Sequence, residues 1–335
     1  MRNPLPPVVL DGVLQDSSLV GRLARANAPY FPVQRYFANA AEMNALSKTQ
    51  QGDGPAMRIG PVFRGDWAYD APLVDGLEPI FENPRFVAAA RRIFGAAVVR
   101  PQIVYANLSL PMPCGDGGHT DIPAFRGIDR TRFPVWLLVT MGRSGLFEPW
   151  RVTIATAVAW FYEGDGGGFT YWPDGPDASP RTQPAATNTA VVGDNDVMFH
   201  RVESIGGPDD DRVAGLTLDS RLEPDGGTGW RVVDGERELG ACRNDQLRIS
   251  VSWKAQVFAD ADAARVYDEH ADDLGFDAVL ARFCDDFAAR GTPLAIPADP
   301  LHDADFVRTL SGAYHVAPTL VPKGSPNGSP GGLAA

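Results

Sequence analysis

His119-Thr120-Asp121 places an imidazole and a carboxylate two residues apart, after the turn-forming pair Gly117-Gly118. On a β-strand, positions i and i+2 share a face, so both side chains point at one place. One nitrogen and one oxygen ligand, joined by a third from elsewhere, form a facial triad whose opposite side stays open, a geometry suited to non-haem Fe(II). Taken alone, a His-x-Asp pair is common in surface turns, so the third ligand decides the matter. The chain has five histidines. His270, His302 and His315 fall in or beyond a C-terminal helical stretch, where a solvent-facing or capping histidine is the ordinary case. His200 ends the strand-like run Val197-Met198-Phe199, just after the turn Gly193-Asp194-Asn195-Asp196, and is the natural candidate.

Three elements in order, His119-Thr120-Asp121, His200-Arg201-Val202 and Arg248-Ile249-Ser250, resemble the Fe(II)- and 2-oxoglutarate-dependent dioxygenases. The lead-in Asn107-Leu108-Ser109-Leu110-Pro111-Met112-Pro113-Cys114 is similar to that of the plant-type and isopenicillin-synthase-like members. Gly167-Gly168-Phe169-Thr170-Tyr171-Trp172-Pro173 resembles the Gly-Gly-x-x-x-x-Pro strand that many members carry between the ligand segments.

The resemblance implies a double-stranded β-helix (a jelly-roll, cupin-like core) with Fe(II) held by His119, Asp121 and His200. It implies 2-oxoglutarate as cosubstrate, with its distal carboxylate on Arg248, whose planar fork binds a carboxylate bidentately. Ser250 and Asn107 would assist. Arg248 lies further beyond His200 than is usual in the family; Arg212 has the usual offset but sits in the polar turn Asp209-Asp210-Asp211-Arg212. The implied reaction consumes O2, releases succinate and CO2, and by default hydroxylates a carbon of a small molecule such as an amino acid or natural-product intermediate. Desaturation, cyclisation and epimerisation are other fates of the same chemistry. Arg126, Tyr105, Trp160, Tyr162 and Trp172 are candidate substrate contacts; a structural ion pair for Arg126 and core packing for the aromatics are the competing readings.

These residues need strands to hold them. From Val98 onward short runs rich in β-branched and aromatic residues alternate with Gly, Pro and Asp clusters, and Ile103 to Leu110, Val135 to Met141, Ile154 to Tyr162, Phe169 to Trp172, Thr189 to Val192, Val197 to Val202, Ala214 to Leu218, Trp230 to Val233 and Leu247 to Phe258 read as strands. Asp234-Gly235 joins a tight hairpin. The reading divides the chain into a mixed helical region at 1–97 packed on the core, a β-helix core at 98–258 with an insertion at 204–247 able to act as a lid, C-terminal helices at 259–320, and a disordered tail at 321–335. Within the first region, Asn83 caps a helix that Pro84 opens and Gly95 stops. Asp262 to Leu274, Asp277 to Arg290 and Asp303 to Leu310 read as amphipathic helices.

With 335 residues, 44% hydrophobic, the chain can bury a sizeable core. Its net charge of -12 would repel a polyanion, which argues against nucleic acid as a partner. No apolar run of membrane-spanning length occurs, and the first residues lack a signal-peptide pattern, so a cytoplasmic protein is expected. The Ala-, Arg-, Gly-, Pro- and Asp-rich composition resembles bacterial proteins. Cys114, Cys242 and Cys284 suggest neither a disulfide framework nor a zinc site. Gly164-Asp165-Gly166-Gly167-Gly168 lacks the Lys-Ser/Thr of a phosphate-binding loop. Two other functions compete with the small-molecule oxygenase: a protein side-chain hydroxylase on the same scaffold, and a non-enzymatic cupin-like binding module.

Overall fold

A computed structural model describes residues 2–36, 59–115 and 117–319; the tail expected to be disordered lies outside the described residues. Sixteen strands and seven α-helices run along them. The strands are β1 (Val8–Asp11), β2 (Phe31–Pro32), β3 (Val62–Tyr69), β4 (Ala71–Pro72), β5 (Val98–Ser109), β6 (Ala124–Phe125), β7 (Arg151–Val152), β8 (Ile154–Phe161), β9 (Phe169–Tyr171), β10 (Arg181–Gln183), β11 (Thr189–Gly193), β12 (His200–Val202), β13 (Arg221–Pro224), β14 (Trp230–Asp234), β15 (Arg237–Cys242) and β16 (Arg248–Phe258). The helices are α1 (Leu19–Ala26), α2 (Glu78–Phe81), α3 (Pro84–Phe94), α4 (Val135–Ser144), α5 (Ala261–Asp268), α6 (Phe276–Ala289) and α7 (Ala304–Ala313).

The main sheet has the order β1-β11-β8-β16-β5-β3-β2, with β4 paired to β3; a smaller sheet has the order β10-β9-β12. A backbone bridge from His119 to His200 adds the 119 segment beside β12. From β5 the chain crosses to the 119 segment, returns to β8, crosses to β9 and β10, returns to β11, crosses to β12 and returns to β16. That alternation between two antiparallel sheets is the winding of a double-stranded β-helix, as the sequence predicts.

The pleat of β16 separates two environments. Ile249, Val251, Trp253, Ala255 and Val257 join the largest hydrophobic core, while Arg248, Ser250, Ser252 and Lys254 occupy the opposite face. Helix α3 covers the apolar side: Phe86 packs on Trp253 with ring centroids 5.5 Å apart. Its ends are as expected. Asn83 Oδ1 accepts from the Arg85 and Phe86 amides, Pro84 is the first helical residue, and Gly95 takes φ 62°. An Asn cap of this kind contributes about 1 kcal/mol.

Several expected elements differ. Val135 to Met141 is helical, part of α4, not a strand. The run is apolar without alternation, which periodicity cannot assign; Gly145 at φ 72° stops it, and α4 is buried among α6 and α7. Ala214 to Leu218 is a turn, because Gly215 takes φ 75° and Ser220 and Thr217 side chains bond the local backbone. Val197 to Phe199 also turns, with the Val197 and Met198 amides bonding Asp194 O, so β12 begins only at His200. The helix from Asp262 ends at Asp268 rather than Leu274.

The stretch 204–247 contains the three-stranded sheet β13-β14-β15. Leu222, Trp230 and Val232 enter the main core, Tyr30 bridges Leu222, and the Tyr30 and Trp230 rings lie 6.5 Å apart. This sheet therefore braces the N-terminal segment against the core.

Candidate metal centre

His119 and His200 exchange backbone hydrogen bonds of 2.9 and 2.8 Å, and the Asp121 amide donates to Asn195 O at 2.9 Å. The backbone thus fixes all three residues before any side chain acts. Their ligand atoms lie within 4.8 Å of one another, forming the one such group of three His, Cys, Asp or Glu residues found among the described residues. His200 Nδ1 lies 3.0 Å from Met198 O, which can only accept. Nδ1 therefore carries the proton, and the Nε2 lone pair faces Asp121 Oδ1 at 3.8 Å. Burial, then the neighbouring His119, pushes His200 down to about 4, so it is neutral at pH 7 and free to ligate.

Asp121 is kept ionised. Burial, the largest single influence, favours its protonated form, but the lowering influences together, led by the charge of Lys254, hold the carboxyl well below the usual range. Lys254 Nζ donates to Asp121 Oδ2 at 2.5 Å and to Thr156 Oγ1 at 3.2 Å, and Thr156 Oγ1 is 3.4 Å from the same Oδ2.

Further along the same face of β16, Arg248 is 2% exposed. Its Nε donates to Gly167 O at 2.7 Å and its Nη1 to Ser250 Oγ at 3.2 Å, while buried Nη2 has no hydrogen-bond partner among the described residues. Burial pushes the guanidinium down to about 10, which still leaves it charged at pH 7. Gly167, at φ 67°, makes room for it: a Cβ there would stand 2.7 Å from Arg248 Cδ. Arg212, by contrast, is exposed.

In the sheet Asn107 and Trp160 flank Ser250 on either side, and Tyr105 flanks Ser252. Asn107 Nδ2 is 3.3 Å from Ser252 Oγ. Trp160 is fully buried, its indole N–H without a partner in the chain, its ring 5.7 Å from Phe169, which in turn lies 5.3 Å from His200. Tyr105 lies under the Arg64 guanidinium at 3.4 Å.

The polar atoms of the other expected contacts are engaged by the chain. Tyr162 donates to Asp165 O, and Trp172 donates to Thr319 O, both at 2.7 Å. Arg126 grips Asp272 through Nε and Nη2 at 2.6 and 2.8 Å and also donates to Pro149 O. The guanidinium is thus engaged in an ion pair, the alternative weighed for it from sequence.

Sequence reasoning missed Lys254, Thr156 and Asp196. For Lys254 a signal existed: Arg248-Ile-Ser-Val-Ser-Trp-Lys254 alternates polar and apolar without a break, which puts the lysine on the arginine's face. Asp196 is buried with neither carboxylate oxygen hydrogen-bonded among the described residues, and burial pushes it up to about 7. Nothing local marked it.

The chain is thus a double-stranded β-helix protein with two histidines and a carboxylate grouped between its sheets. It matches solved structures of 2-oxoglutarate–Fe(II) oxygenases across about three quarters of its length. One is an oxidoreductase of that family from Burkholderia pseudomallei, with 12% identity, 76% of this chain and 88% of that chain covered, and a TM-score of 0.40. Another is the α-ketoglutarate-dependent epimerase SnoN from nogalamycin biosynthesis, with 14% identity, coverages of 76% and 77%, and a TM-score of 0.39. A third is a Pseudomonas putida prolyl-4-hydroxylase, with 13% identity, coverages of 76% and 93%, and a TM-score of 0.34. No family model matches the sequence, and no curated protein matches it. These are distant likenesses; what the site can do follows from its own side chains.

Proposed function

We propose that the protein is a non-haem Fe(II)- and 2-oxoglutarate-dependent oxygenase acting on a small molecule, with His119, Asp121 and His200 as metal ligands. The observation that carries this reading is Arg248, a buried cation whose Nη2 has no hydrogen-bond partner among the described residues, on the same sheet face that meets the histidine and aspartate group. A buried guanidinium with a spare donor is a site for an anion, and a carboxylate matches its fork. The donor set of two imidazoles and one carboxylate fits Fe(II).

In this reading His119, Asp121 and His200 hold the metal on one side. Arg248 takes the distal carboxylate of 2-oxoglutarate, Ser250 adds a hydroxyl, and Asn107 and Trp160 form the flanking wall. Bound together with O2, metal and cosubstrate would supply the oxidant that removes hydrogen from a substrate carbon, with succinate and CO2 as coproducts. Ser204 and Ile205 bond the chain at Gly167 and Met112, which shields the Arg248 end from water. The acidic net charge is consistent with a small-molecule substrate, and a bacterial, cytoplasmic, biosynthetic setting fits the composition.

The test is anaerobic. Iron-loaded protein given 2-oxoglutarate should develop a visible metal-to-ligand charge-transfer band, lost in His119→Ala or His200→Ala. A well-folded, iron-loaded wild type that gives no band would exclude 2-oxoglutarate.

A further inference from the structure

The two oxygens of Asp121 face different partners. Oδ2 receives Lys254 Nζ at 2.5 Å, with Thr156 Oγ1 at 3.4 Å, whereas Oδ1 is turned toward His200 Nε2 at 3.8 Å. The lysine is fixed by its place in the sheet. It lies across from Thr156 in the β8–β16 register and donates to that hydroxyl at 3.2 Å. Only 16% of its side chain and 22% of that of Asp121 are exposed, so the pair is largely shielded from solvent screening.

Resting on the oxygenase reading above, we propose that Lys254 is a positioning residue. It is the ion-pair partner that holds the Asp121 carboxylate in place before metal arrives, and the clamp that engages Oδ2 so that Oδ1 is the oxygen turned toward the histidines.

Two physical consequences follow. Without Lys254 the metal-free site contains a largely buried carboxylate that has lost its ion-pair partner, which is strongly unfavourable. With metal bound, the divalent cation replaces the lost counter-charge, so metal restores what the substitution removes. The clamp also acts electronically. An ammonium on Oδ2 withdraws negative charge from the ligand and stabilises the metal's d electrons. Its removal lowers the energy of metal-to-ligand charge transfer, and the band moves to longer wavelength.

The experiment uses the full chain as wild type, Lys254→Met, Lys254→Arg, Asp121→Asn and the Lys254→Met/Asp121→Asn pair. Thermal unfolding is measured metal-free and with saturating Mn(II), and the charge-transfer band is recorded anaerobically with Fe(II) and 2-oxoglutarate. Metal-free Lys254→Met should melt roughly 5–10 °C below wild type. Mn(II) should raise its melting temperature by more than it raises the wild type's, and the band should red-shift. Lys254→Arg should return the band toward the wild-type position, and the double variant should be less destabilised than the single effects sum to.

An unchanged metal-free melting temperature, an unchanged band or strictly additive effects would overturn the proposal. If Lys254→Met is insoluble, recovery of soluble protein in the double variant supports the pairing, and failure to recover overturns it. A wild type that gains no stability from Mn(II) and shows no band sinks the oxygenase reading instead, while the metal-free double-variant comparison still tests the pair.

Discussion

Arg248 is costly in the empty site and should become favourable only when an anion arrives. Its guanidinium drops from 12.5 to about 10 through burial, a shift equivalent to about 3 kcal/mol of unfavourable charge. Replacing it with methionine removes that cost but strands Gly167 O and Ser250 Oγ, each now bonded to it, at about 1–2 kcal/mol together. The difference leaves Arg248→Met about 1–2 kcal/mol more stable than wild type, a rise in melting temperature of about 2–6 °C. The same substitution removes the carboxylate's charged partner, which costs about 2–5 kcal/mol of binding, at least about 30-fold in 2-oxoglutarate affinity. Arg248→Lys keeps the charge without the fork and should fall between. The assay is thermal unfolding with and without 2-oxoglutarate, alongside calorimetric titration of the Mn(II)-loaded protein. A destabilised Arg248→Met that still binds 2-oxoglutarate as tightly as wild type would refute the reasoning and make Arg248 a structural hydrogen-bond donor.

Gly167→Ala should weaken 2-oxoglutarate about tenfold by titration: its Cβ would meet Arg248 Cδ at 2.7 Å and its positive φ costs about 1–2 kcal/mol. Asp196 binds a proton in the folded state up to about 7, against 3.8 normally, because burial disfavours its charge. The unfolded chain releases that proton first as pH rises, so this group makes stability fall between about pH 4 and 7, by up to about 4 kcal/mol. Asp196→Asn should remove that slope in denaturant unfolding across pH 4–8, matching wild type at the acid end and exceeding it at pH 8; parallel curves would contradict the assignment. Trp230→Ala, at a position with no exposed surface, should cost about 3–5 kcal/mol of stability while leaving metal affinity within about twofold, as measured by denaturant unfolding and Mn(II) titration.

What the sequence disclosed follows the reach of each signal. The cap at Asn83 and the stop at Gly95 are local backbone chemistry, and both occur where expected. The ligand candidates were legible because His119 and Asp121 announce a shared face by spacing alone, and few histidines compete for the third place. Helix α4 was misread because an unbroken apolar run carries no period; its burial on nearly every side comes from α6 and α7, far along the chain. The engagement of Arg126 with Asp272 and of Trp172 with Thr319 rests on equally distant partners. Asp196 gave no sign because its burial and its main charged neighbours, Lys254 on β16, Asp121 and Arg151 on β7, are brought to it only on folding.

Strand β16 also works as a ruler. Arg248, Ser250, Ser252 and Lys254 share one face because a strand returns to the same side every second residue, about 7 Å further on. An anchor moved along this strand can therefore move only in strides of that length, and a shift of one residue would turn the whole row outward. A dicarboxylic acid one methylene longer than 2-oxoglutarate cannot be met by such a stride. Under the proposed function, with Arg248 as anchor, a longer or shorter oxo acid would be matched by exchanging the anchoring side chain for one of different reach, not by sliding it along the strand.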